Sequence, residues 1–218
     1  MNDYEIRYNI DSQFETRSEG SRHVVAGYAA VFNTRSQNLG GFVEQVLPGT
    51  FRKTIAESDV RALWNHNADY VLGRNKAETL RMSEDNTGLH YEVDLPDTQL
   101  ARDLRESIAR GDITQSSFGF ATIEDDWGFT GDDFPLRSLK EVKLFDVSPV
   151  TYPAYTDATI GTRALERLAG VKGLELTEVR QNLANVINDE KSAPVSATYV
   201  VRRYIEPASI IAIRGRLK

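Results

Sequence analysis

Between residues 23 and 150 the chain repeats one texture, and that texture restricts the fold more than any other feature. Short runs rich in β-branched and aromatic residues alternate with Gly, Pro, Asn and Asp punctuation. The runs are HVVAGYAAVF (23–32), GFVEQVL (41–47), VRALWNH (60–66), YVLGR (70–74), TLRMSED (79–85), LHYEVDL (89–95), SFGFATIE (117–124) and LKEVKLFDVSPV (139–150). Many short strands separated by turns predict an antiparallel sandwich or barrel. Two amphipathic helices interrupt the series. PGTFRKTIAES offers Thr50 as N-cap, with Phe51 and Ile55 one turn apart on a single face. DTQLARDLRESIARGD places Leu100, Leu104 and Ile108 on one stripe, with Asp97 or Thr98 as cap and Gly111 as stop. The second helix is expected to pack outside the sheet and lead into the ITQSSFGF strand.

The texture changes near residue 160, which divides the chain into a β domain over 1–160 and a tail over 161–218. The tail reads as helix-favouring through TRALERLAGVKGLELTEVRQNLANVINDE, with Thr177 as a cap, then as an exposed linker, KSAPVSA (191–197). Its role is a docking arm, a targeting element or a piece removed by proteolysis.

Composition excludes several classes. The net charge of −6 argues against a uniformly basic nucleic-acid surface. The absence of cysteine removes disulfides, thiolate zinc sites and thiol nucleophiles together. Three histidines lacking HxH or HExxH spacing do not make a zinc framework, and no phosphate-cradling loop is present. No cofactor or metal is expected. The start, MNDYEIRYNI, lacks the basic-then-apolar order of a signal peptide, and no run reaches the ~20 apolar residues of a membrane span. A soluble, cytoplasmic protein is the simplest expectation.

The chemistry-bearing stretch is ITQSSFGF (113–120). Neighbouring residues in a strand point to opposite faces. Ser116 therefore shares its face with Phe118 and Phe120, and Ser117 with Ile113, Gly119 and Ala121. Small neighbours leave room for a substrate backbone beside Ser117, which makes it the better nucleophile candidate and predicts that it is exposed. A serine needs a base. His23 opens an apolar run, and His90 falls with Glu92 and Asp94 on the wet face of LHYEVDL. His66 ends ALWNHN between Asn65 and Asn67, a strand end suited to a reactive imidazole. Among 32 Asp and Glu, Glu141 and Asp146 interrupt an otherwise apolar strand; spacing alone does not choose between them.

The ordered set GYAAVFN, GFVEQVLPGTF, LWNHN, VLGR, GLHYEVDLPDT, ITQSSFGF and DVSPVTYPAY resembles the prohead maturation proteases of tailed bacteriophages, serine proteases of the same structural clan as the herpesvirus assemblins. The resemblance runs from about residue 24 to about 156. It implies a closed antiparallel β-barrel with flanking helices. It implies His66 as the family histidine and Ser117, directly before FGF, as the family serine. In the assemblins the third member is a histidine about two dozen residues past the serine. No histidine follows His90 here, so a carboxylate must stand in: Glu141 lies at that distance, and Asp146 is the alternative. The implied activity is acyl-enzyme cleavage of the major capsid protein's scaffolding segment, and of the enzyme itself, inside the assembling prohead in the host cytoplasm. Arg137 or backbone amides would stabilise the oxyanion, and a homodimer, as in the assemblins, is an implied assembly. Two rival readings are an inactive scaffold or packaging barrel of the same family and an unrelated ligand-binding β-barrel.

Overall fold

The computed structural model describes residues 4–9, 12–39, 41–131 and 134–152. The tail readings at 161–218, including the Thr177 cap and the KSAPVSA linker, lie outside them. The chain order is β1 (Glu5–Asn9), β2 (Glu15–Glu19), β3 (Arg22–Val31), β4 (Val43–Val46), α1 (Arg52–Glu57), β5 (Arg61–Trp64), β6 (Asn67–Arg74), a 3-10 turn (Asn75–Ala77), β7 (Leu80–Glu84), β8 (Gly88–Leu95), α2 (Gln99–Ala109), β9 (Gln115–Phe129) and β10 (Pro135–Val150). The protein is mainly β with few helices.

The closed barrel is not found. The described strands form two open sheets: a six-stranded one in the order β1-β9-β10-β5-β6, with β4 also on β10, and a four-stranded one in the order β2-β3-β8-β7. Closure would require the outer strands to pair with each other. Instead β2 is exposed along its whole length, as is much of β6. Nor is the pairing wholly antiparallel, because β10 runs parallel to β5, with Asp146 opposite Arg61 and Val147 opposite Ala62.

The core lies in the first of two compact units, which holds, among the described residues, 4–9, 12–35, Gln45–Asp126 and 138–152. Alternation drives it. In β8 Leu89, Tyr91 and Val93 are buried while His90, Glu92 and Asp94 stay partly in water. Phe118, Phe120, Leu139, Val142, Leu144 and Val147 come from β9 and β10 and join the same cluster. Each fully buried side chain of this size contributes about 1.5–3 kcal/mol. α2 adds Leu104 and Ile108; Thr98 caps it by accepting the Ala101 amide, and Gly111 ends it at φ +83°. In α1 Thr50 is not the cap: Phe51 occupies that position, and the Thr50 hydroxyl donates to the carbonyls of Leu47 and Leu139, tying the turn to β10.

The second unit holds, among the described residues, Ser36–Glu44 and Trp127–Arg137. Arg137 has no exposed surface. Its guanidinium donates to Glu44 at 2.9 Å and stands 5.9 Å from the Trp127 ring, which packs on Phe42.

Candidate active site

Three neighbouring strands of the six-stranded sheet carry the site. β9 supplies Ser117, β10 supplies Asp146, and the turn between β5 and β6 supplies His66. That turn is LWNHN. Trp64 pairs with Asn67 across a two-residue connection, and both residues within it, Asn65 and His66, have φ near +55°. This is the two-residue hairpin geometry whose twist matches the flanking strands. Asparagine tolerates the left-handed region, whereas histidine is held there under some strain. The end of β10 provides the hold. Asn65 N–H donates to the Pro149 carbonyl at 3.0 Å, and the Asn65 side chain exchanges hydrogen bonds with Thr151. His66 N–H donates to Ser148 Oγ at 3.3 Å.

So fixed, the imidazole spans its two partners. His66 Nδ1 stands 2.6 Å from Asp146 Oδ2 and 3.1 Å from Oδ1, and Nε2 stands 2.5 Å from Ser117 Oγ. Asp146 is buried, which keeps water from competing for the contact. Its Oδ1 also accepts the Tyr4 hydroxyl at 2.9 Å. The Tyr4 phenol is pushed far up, first by burial and then by the neighbouring carboxylate charge, and so stays protonated as a donor.

Glu141 lies elsewhere. Its carboxylate pairs with Lys53 at 2.9 Å on the surface. From Glu141 to Asp146 the burial of β10 alternates residue by residue, so the two carboxylates fall on opposite faces, as their odd spacing requires. Arg137 is spent on Glu44 within the second unit. His23 contacts Ser18, and His90 packs its edge near Tyr28. Among the described residues no group of three His, Asp or Glu is placed to hold a metal ion, and no helix is long and apolar enough to cross a membrane.

The two serines separate as their faces require. Ser116 sits in the core beside Phe118, bonded to the Tyr91 hydroxyl at 3.1 Å and donating to the Ser148 carbonyl at 3.2 Å. It ties β9 to β8 and β10. Ser117 takes the other face, but it is not exposed: its accessible surface is 0%. β1, which sequence reading missed, runs antiparallel along it, with Tyr8 opposite Ser117. Tyr4, Tyr8, Asn65 and Ser148 were likewise missed as site residues. Alternation in YEIRYN was the one available signal for β1.

The family described as caudovirus prohead serine protease matches residues 12–171. The chain belongs to that family. Its members are serine proteases of phage capsid assembly. Among solved structures, the bacteriophage T4 capsid assembly protease gp21 is similar at 10% identity, with 70% of this chain and 100% of that one covered and a TM-score of 0.44. No curated protein matches.

Proposed function

We propose that this prohead-family protease is a serine endopeptidase working through Ser117, His66 and Asp146. One observation carries the reading: a single imidazole bridges a serine hydroxyl and a buried carboxylate from two other strands. His66 Nε2 takes the Ser117 proton as Oγ attacks a peptide carbonyl, then returns it to the leaving amine. Water, deprotonated by the same nitrogen, hydrolyses the acyl-enzyme and restores Ser117. Asp146 accepts from Nδ1–H, holds the useful tautomer and stabilises the imidazolium. Glu141, paired with Lys53, has no part in it.

Family membership supports capsid-assembly proteins as substrates. The scaffolding segment of the major capsid protein is the proposed target, with the chain itself as a second one, inside the assembling prohead. Purified protein is expected to yield shortened forms on incubation, and Ser117→Ala to stay full length. Equal shortening of the alanine variant in a protease-free preparation would remove Ser117 from the chemistry.

A further inference from the structure

We infer that residues 4–9 are an internal latch: they fill the strand edge beside Ser117, offer its hydroxyl proton an acceptor other than His66, and must be displaced before an extended polypeptide substrate can be cut. The inference rests on the protease reading above. Four contacts converge on it. Ser117 Oγ donates to the Arg7 carbonyl at 2.9 Å. The Tyr8 ring meets His66 edge-on, with centroids 6.3 Å apart. The Tyr4 hydroxyl bonds Asp146. The Tyr4 ring lies across Gly119, where a Cβ would come within 2.2 Å of its oxygen, so the absent side chain makes the seat. One short segment thus touches all three members of the site.

What keeps the enzyme idle is occupancy of the place a substrate strand would take, with a competition for the serine proton added. A serine hydroxyl has one proton. Catalysis requires it to go to His66 Nε2, but the Arg7 carbonyl competes for it. A hydroxyl bonded to the carbonyl oxygen is also held away from the carbonyl carbon, so the Arg7–Tyr8 peptide bond is an occupant rather than a substrate while docked. Leaving would expose the β9 edge, whose free amides and carbonyls can take an incoming chain as an added strand.

The latch is firm but built to open. Backbone pairing runs from Glu5 opposite Phe120 to Asn9 opposite Ser116. Glu5 accepts from Thr122 at 2.6 Å and pairs with Arg7 at 2.8 Å, both side chains buried under an edge strand. Burying such a pair costs much of what its attraction returns, so the strand is held by geometry rather than by a large apolar area.

The test measures the labelling rate of Ser117 by a fluorophosphonate in full-length wild type, Tyr4→Phe and Glu5→Gln, with Ser117→Ala as background. Glu5 touches no member of the site, so its variant reports on the latch alone. Both variants are expected to label about tenfold faster, because reactivity scales with the fraction of open molecules. In wild type, amide hydrogen exchange of residues 4–9 is expected to rise once Ser117 is labelled. Serine-dependent labelling at one rate in all forms, slower labelling in the variants, or exchange unchanged by labelling would overturn the latch and leave the protease standing. No serine-dependent labelling in any form would overturn both.

Discussion

Ser116 and Ser117 differ by one position and by everything that matters chemically. A strand's period of two sends the first into the core against Tyr91 and the second toward His66. The carboxylates divide for a different reason. Glu141 keeps its charge in water beside Lys53, while Asp146 is buried and can stabilise an imidazolium without dilution by solvent. Asp146→Asn is therefore expected to lower kcat by about 10⁴, through loss of the useful tautomer. Glu141→Gln should stay within a few-fold of wild type, since a surface ion pair contributes only about 0–1 kcal/mol. Peptidase assays on both variants check this, and the opposite ranking would return the role to Glu141.

At the scale of the element, the β5–β6 hairpin is the positioning device. It works because both turn residues adopt positive φ and because β10 clamps Asn65 from the side. Asn65→Ala puts a less tolerant residue in the left-handed region and is expected to cost about 1–2 kcal/mol, read as a lower thermal midpoint. Asn65→Gly should recover part of that loss, because glycine adopts positive φ freely. Equal midpoints for the two variants would show that backbone strain is not the source. The elements themselves were largely legible. β3 to β10 fall on the eight runs read from the sequence, and α2 sits on its Leu104–Ile108 stripe with Thr98 as cap. β2 carried no signal, and β1 carried one that misleads: its residues alternate, but the polar Glu5 and Arg7 are the buried ones, through tertiary contacts rather than their own character.

For the molecule as a whole, the wet face of the four-stranded sheet carries a charge ladder. Arg81 bonds both Asp94 and Glu92, while Arg22 bonds Asp94 and Arg17 bonds Glu92. Hydrogen bonds from Arg81, and then Arg22, hold the Asp94 carboxyl down at about 2 against its ordinary 3.8. Asp59 is held at about 2 by Arg74. A carboxylate with a lowered pKa in the folded state stabilises the fold above its unfolded value and loses that contribution as pH falls through the folded value. The thermal midpoint is therefore expected to fall between about pH 4 and pH 2. Asp94→Asn should show a shallower fall over that interval by circular dichroism, and an unchanged slope would exclude the ladder as its cause.

Sequence alone determined the mainly β character, the strand and helix positions between residues 22 and 150, and the family resemblance, because hydrophobic alternation, turn residues and short ordered motifs are local properties. The sheet order, the open edges, the approach of Asp146 rather than Glu141 to His66, and the docking of residues 4–9 on Ser117 came only with the tertiary structure. These depend on contacts between residues far apart in the chain, 80 positions for His66 and Asp146 and more than a hundred for β1 and β9. No local pattern encodes a hydrogen bond whose two ends meet only after the chain has folded.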